Sequence, residues 1–274
     1  MKYSILFPII FAFIFSSCSD FSGNEDAVEA SLKPSPVTKT TPPSTTTKYY
    51  DLDAITFGNN TFVAVGESGV VRTSSDNGAT WDKGTPGTTK ELSEIAYGNS
   101  TFVAVGQSGK HLLSSDNGAT WDNGTWSDSD SVTGVAFGNN TFIGVSSTYL
   151  TKSTDNGANW VRACSGVRVY DMAFGNNKFV GSGAEGAIQI SDNGSGCSTP
   201  SGTGSRTTEE TLYGITFGNN RFLTVGSDGW LSITSDNGNN FTPLTIPTGA
   251  SHLYSSAYGN NIFVTVGNLS LIHI

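Results

Sequence analysis

Acidic side chains recur in this chain at a nearly fixed interval. Asp76, Asp116, Asp155, Asp192 and Asp236 each sit in an eight-residue stretch of the form Ser/Thr-x-Asp-x-Gly-x-Thr-Trp. Ser74–Trp81 and Ser114–Trp121 are identical, Ser153–Trp160 and Thr234–Phe241 are close copies, and Ile190–Cys197 is an eroded one. Two chemistries use repeated carboxylates of this kind: calcium binding and acid–base catalysis. A calcium loop needs further oxygen ligands downstream, ending in a bidentate Glu, and Asp-Asn-Gly is followed by none. A catalyst has no use for five copies. The residue types fit a turn instead. Asp accepts hydrogen bonds from the N–H groups of its own turn, and Asn-Gly adopts positive φ at little cost. Trp81, Trp121, Trp160 and Phe241 are too large and apolar for a free loop, so they are expected to pin each hairpin to a core.

Other reactive residues are scattered. Glu67 and Glu185 would suit the paired acids of a glycosidase, but sequence gives no separation between them. Arg72, Arg162, Arg168, Arg206 and Arg221 form no cluster, and His111, His252 and His273 are singletons without metal-ligand spacing. No nucleophile elbow, phosphate-binding loop or zinc-protease motif is present. No catalytic residue, metal or cofactor is therefore expected. The formal charge is −9, and becomes −10 without a leader that holds only Lys2. Phosphate-backbone binding needs clustered Lys and Arg, so nucleic acid is excluded as a partner.

The elements that carry these residues repeat as well. The Gly of each Phe-Gly or Tyr-Gly pair falls at Gly58, Gly98, Gly138, Gly175, Gly218 and Gly259, in steps of 40, 40, 37, 43 and 41 residues. A period of this size with four strand signals per unit predicts an all-β fold, a β-propeller of four-stranded antiparallel blades. In the first unit strand A is expected at Leu52–Phe57, B at Thr61–Val65, C at Val70–Ser75, and D from near Thr80. Strand B is apolar on both alternations, as in Phe62-Val63-Ala64-Val65, which suits sheets stacked face to face. Phe62, Phe102, Phe142, Phe179, Phe222 and Phe263 head these strands and are assigned to packing between blades.

That order of strands puts the B–C turns and D–A connections on one face and the Asp hairpins on the other. The first face is where a ligand would bind. Its candidate residues are Glu67, Gln107, Tyr149, Glu185 and Asp228, with Trp126 as an aromatic outside the repeat. The third unit has lost the turn glycines: Gly66 and Gly69 correspond to Ser146 and Tyr149.

The repeated octapeptide resembles the Asp-box, or BNR repeat, of sialidase-like β-propellers. The longer unit Ile-x-Phe-Gly-Asn-Asn-x-Phe-Val-x-Val-Gly-x-x-Gly resembles propellers of the photosystem assembly-factor type. The resemblance covers about residues 51–267. It implies five blades and part of a sixth, with the Asp hairpins away from the ligand. Sialidase chemistry would need an arginine triad, a Tyr–Glu pair and an Asp acid, and the scattered arginines do not supply it. The expected function is a non-catalytic binding or assembly scaffold for an envelope protein or glycan, acting as a monomer. The alternative is a glycan-active hydrolase or lyase on the loop face.

The N-terminus reads as an address. Lys2 precedes the apolar run Ser4–Phe15, and Phe15-Ser16-Ser17-Cys18 resembles a bacterial lipoprotein box with Phe where Leu is usual. Residues 1–17 are expected to be a signal peptide, and Cys18 a lipidation site that anchors the protein to a membrane of the cell envelope, facing the periplasm or the cell surface. Residues 18–50, rich in Pro, Thr and Ser, are expected to be a disordered tether, and 51–274 the propeller. Cys164 and Cys197 are then the remaining thiols. They could bridge neighbouring blades, although outer strands diverge and a bridge needs Cα atoms within about 7 Å. The closing segment Leu269–Ile274 departs from the repeat and resembles a translated sequencing-adapter tail. The natural protein is expected to have six or seven blades.

Overall fold

A computed structural model describes residues 50–126, 129–192, 194, 196–198, 210–245, 252–268 and 270–273. The described residues all belong to one compact unit. The expected signal peptide, Cys18 and the expected tether up to residue 49 lie outside the described residues.

The described part holds six antiparallel sheets in chain order, and their strands are named A to D. Blade 1 is Leu52–Gly58, Thr61–Gly66, Val71–Ser74 and Asp82–Lys83; blade 2 is Leu92–Gly98, Thr101–Gly106, Lys110–Ser114 and Asp122–Asn123. Blade 3 is Val132–Gly138, Thr141–Ser146, Tyr149–Ser153 and Val161–Ser165. Blade 4 has three strands, Val169–Gly175, Lys178–Gly183 and Ile188–Ser191. Blade 5 is Leu212–Gly218, Arg221–Gly226, Leu231–Thr234 and Thr242–Pro243; blade 6 is Leu253–Gly259, Ile262–Gly267 and Ser270–His273. Each sheet keeps the order A-B-C-D or A-B-C. The expected β-propeller architecture is what the chain adopts. The segment Ser270–His273, set apart from the repeat on sequence, pairs with strand B of blade 6 as its strand C.

The A–B turns follow from Asn-Asn or Asn-Ser. Asn59 and Asn60 have φ of 46° and 56°, and the corresponding pair has both φ positive in every blade. That is the backbone of a type I′ hairpin, which twists with its strands.

Strand A of each sheet packs against strand A of the next, five times in succession. Five hydrophobic clusters fill the five spaces between sheets. Between blades 1 and 2, Val63, Val65 and Val71 meet Leu92, Ile95, Phe102 and Trp121. Phe102, Phe142, Phe179, Phe222 and Phe263 are all buried, whereas Phe62, on the first sheet, is half-buried. Each single sheet is too thin to hide two apolar faces, so the stack supplies the core.

The Asp hairpins fasten this stack. Ser74 donates its hydroxyl proton to Asp76 Oδ1 at 2.7 Å, and the Thr80 N–H and hydroxyl donate to the two carboxylate oxygens at 2.9 and 2.6 Å. The Trp81 indole N–H closes the turn onto Gly78 O at 3.1 Å. Asp116, Asp155 and Asp236 hold the same bonds in their hairpins. Asp192 does not: in the worn fourth copy it pairs with Lys178. The hairpins also reach across to the preceding sheet. Asn59 Nδ2 donates to Asn117 Oδ1 at 2.8 Å, and Asn99 and Asn176 bond Asn156 and Asn237 in the same way. The Thr85 N–H donates to Ala119 O, and Thr125 to Ala158 O.

Candidate functional site

The opposite face is where the repeat varies. Each blade shows one register shift at the start of strand A, after Leu52, Leu92, Val132, Val169, Leu212 and Leu253. One residue per blade falls outside the ladder: Asp53, Ser93, Thr133, Tyr170, Tyr213 and Tyr254. A β-bulge of this kind turns a side chain out of the sheet and commonly borders a site. All six residues are polar and at least partly accessible. The sequence reading missed this row. Its signal was there, because one register position in six repeats holds polar side chains just before an otherwise apolar strand.

The B–C turns stand beside the row. In blade 1 Gly66 lies so close to the incoming chain that a Cβ there would meet Asp51 O at 2.2 Å. The Glu67 N–H bonds that same carbonyl at 2.9 Å. Glu67, Gln107, Glu185 and Asp228 all sit exposed on these turns, where the sequence placed them. Gln107 donates to Glu91 Oε2 at 2.6 Å, Arg168 to Glu185 Oε2 at 3.0 Å, and Ser227 to Glu210 Oε2 at 2.5 Å. The Asp228 N–H donates to His252 Nδ1 at 3.2 Å.

Two other candidates are corrected. Tyr149 is 1 % exposed and packs in the core, bordering a depression that Arg162 also lines. Trp126 packs on the cluster between blades 2 and 3, with its ring 6.0 Å from His111 and 5.9 Å from Tyr149. Its indole N–H is buried. An aromatic in a connection still packs when the turn beside it leaves room, and here the third blade's B–C turn is one residue shorter than the first's.

The site is electrically uneven. Around blades 1 and 2, partial burial and the neighbouring charges of Glu91, Asp51 and Glu67 push the Asp53 carboxyl up to about 6. Glu94, on strand A of blade 2, is pushed up to about 8, first by burial and then by Asp171. Burial raises Asp171 as well, against two bonds that lower it, from the Ile215 and Met172 N–H groups at 2.9 and 2.7 Å. Around blades 5 and 6, Tyr213 lies 5.5 Å from Tyr254 and 6.1 Å from His252, forming an aromatic patch. Burial, then Tyr254 and Asp228, raise the Tyr213 hydroxyl.

Both Asp171 oxygens accept backbone N–H groups, one of them from the next blade, which makes it a clamp between strands A. Glu67 and Glu185 sit on different blades, and Glu185 is paired. Among the described residues no three His, Cys, Asp or Glu side chains are gathered to hold a metal ion. Cys164 and Cys197 are joined in a disulfide with Cα atoms 6.0 Å apart, tying strand D of blade 3 to the edge of blade 4. The divergence of outer strands that argued against a bridge does not separate them: Ser198, next to Cys197, pairs with Ile190 at the outer edge of blade 4, and that edge lies within reach of Cys164.

No protein-family model matches the chain, and no curated protein matches it. Solved structures do. YCF48 bound to a D1 peptide aligns with a TM-score of 0.62 and 16 % identity, over 82 % of this chain and 77 % of that one. The computationally designed protein Ika8 aligns with a TM-score of 0.63 and 13 % identity, over 82 % and 70 % of the two chains. An ancestral GH74 enzyme aligns with a TM-score of 0.62 and 14 % identity, over 81 % of this chain but 36 % of its own. At these identities the likeness is one of fold, and that fold is the β-propeller.

Proposed function

We propose that this chain is a non-catalytic scaffold whose loop face binds a protein partner, held at a membrane of the cell envelope through Cys18. The observation that carries it is the row of six bulged polar residues, Asp53 to Tyr254, presented side by side on one face. Such a row offers hydrogen-bonding groups at the spacing of successive blades, which suits an extended segment better than one small molecule. Asp171, the carboxyl that acts on Glu94, already accepts two backbone N–H groups. YCF48, a structural neighbour, is described with a bound peptide, which supports the reading at the level of fold.

A second reading rests on Glu94. A carboxyl held protonated near neutral pH beside a second acid is what a glycosidase requires of its general acid. Both readings meet one experiment. The full chain is used to capture partners from envelope extracts by crosslinking at Tyr213→benzoylphenylalanine, and is assayed in parallel against a panel of polysaccharides. Capture of a discrete protein with no sugar released supports the scaffold. Sugar release that is lost in Glu94→Gln replaces it with the hydrolase.

A further inference from the structure

We infer that the depression on blade 3, beside the bulge row, is the point where a carboxylate side chain of an acidic peptide segment docks. The inference rests on the scaffold reading above and names the chemistry of its ligand.

The depression has a volume of about 410 Å³ and lies between the B–C turn of blade 3 and the strand D exit that leads into blade 4. It exists because the repeat is broken there. The turn Ser146–Tyr149 is shorter than Gly66–Val70, so less chain covers the sheet end. Two arginines line the space, Arg162 and Arg168, in a protein with formal charge −9. Arg162 is laid over the Tyr149 ring, its guanidinium carbon 4.2 Å from the centroid, which fixes the plane of the fork. Arg168 spends one nitrogen on Glu185, and the two side chains are 63 % and 50 % exposed. A guanidinium carries five N–H donors, so this pair leaves capacity for a second acceptor, and exposed ion pairs exchange partners readily. Hydroxyl groups of Ser147, Thr148 and Ser165 complete the lining. The wall is braced, because Cys164, next to Ser165, is the disulfide residue. Planar guanidinium forks held in place match a carboxylate better than a neutral group, since the bonds are charge-assisted and can be bidentate. Arg168 stands two residues before Tyr170 of the bulge row, so a segment lying along that row reaches the depression.

The test uses the full chain and two labelled peptides, acetyl-Gly-Glu-Gly-Glu-Gly-amide and its Gln counterpart. Binding is read by fluorescence anisotropy and by the arginine Nε–Hε signals in NMR. The Glu peptide is expected to bind at least tenfold more tightly than the Gln peptide and to shift the Arg162 and Arg168 signals. Arg168→Gln should weaken it about tenfold, and Glu185→Gln should tighten it a few-fold by releasing Arg168. A gain of binding cannot come from misfolding, which keeps the test decisive. Equal binding of both peptides, or binding indifferent to Arg168→Gln and Glu185→Gln, overturns the inference while leaving the scaffold intact. So does an oligoglucuronate that shifts both arginines when the Glu peptide does not. Failure of the crosslinking capture described above would instead remove the scaffold itself.

Discussion

The ring of Tyr97 rests on Gly58 of the preceding blade, so near that a Cβ there would lie 2.1 Å from it. The same contact recurs as Phe137 on Gly98, Phe174 on Gly138, Phe217 on Gly175 and Tyr258 on Gly218. Each aromatic also packs on the Phe that heads strand B of its own sheet, 4.6 Å away for Tyr97 and Phe102. The Phe/Tyr-Gly pair therefore joins blades as well as ending a strand. Gly98→Ala should destabilise the protein by about 1–3 kcal/mol or more, because the ring and two sheets must shift. Gly259→Ala should be near neutral, since nothing among the described residues lies within 4 Å of its added methyl. Urea denaturation of the two variants beside the parent checks the contrast.

The Asp hairpins set an acid limit. The Thr80 hydroxyl, then the Thr80 N–H and the Ser74 hydroxyl, hold Asp76 down to about 2. For Asp116, burial alone would raise the carboxyl, but the bonds from Thr120 and Ser114 outweigh it and lower it. A depressed folded-state pKa stabilises above the unfolded value and loses that contribution as pH falls through the folded one. The loss should therefore run from about pH 4 down to about pH 2. Asp116→Ala removes the bonds from Thr120 and Ser114 at an exposed turn and should cost about 0.5–1.5 kcal/mol at neutral pH, while flattening the acid limb. Thermal melts between pH 2 and 7 test both parts.

Much of this architecture was legible because the repeat makes the same statement six times. Positive-φ Asn-Asn turns, strands B apolar on both faces and Trp-bearing hairpins all follow from local chemistry. What was not legible depends on neighbouring blades. Asn117 looked like a turn residue, yet it also holds Asn59 of the preceding sheet. Gly58 looked like part of a turn, yet it is glycine because Tyr97 arrives from 39 residues later. The bulge row escaped because a bulge shifts register, and alternation counted along the chain does not show which residue is skipped. Glu94 and Asp171 could have been noticed by comparison with Gly134 and Gly214, which hold the same register with no side chain. Trp126 was misjudged because a connection reads as exposed until the shorter turn beside it is known.

Glu94 should reverse the usual pH trend. Its carboxyl is raised to about 8 by burial and by Asp171, so the folded state holds a proton that the unfolded chain gives up. Between the ordinary carboxylate value and about 8, stability falls as pH rises, at up to about 1.4 kcal/mol per pH unit for one group. Glu94→Gln keeps the shape and removes the titration. Its melting temperature should exceed the parent's at pH 8 and match it near pH 5. A parent that gains stability steadily up to pH 8 would contradict this.

His111 offers the opposite sign in the same molecule. It stands where blade 1 has Val71, is 2 % exposed, and lies 4.3 Å from the Trp160 ring centre. Its Nδ1 faces Gly109 O at 2.9 Å, which assigns the proton to Nδ1 and leaves Nε2 as a buried acceptor without a partner. Burial pulls its pKa down to about 4, against the smaller opposing effect of Gly109. The fold therefore holds the neutral ring, and stability drains as pH falls from the unfolded value near 6.5 toward 4. The total is on the order of 3 kcal/mol across that window. His111→Val restores the residue of the first blade, removes an unpaired buried nitrogen and should be as stable as the parent or more so at pH 7. Its advantage should widen as the pH is lowered to 5. Because Trp126 packs on the same ring, its fluorescence should respond to acid in the parent and lose that response in the variant. If both proteins lose stability equally between pH 6.5 and 4, the acid sensitivity belongs to other groups and His111 is a passive part of the core.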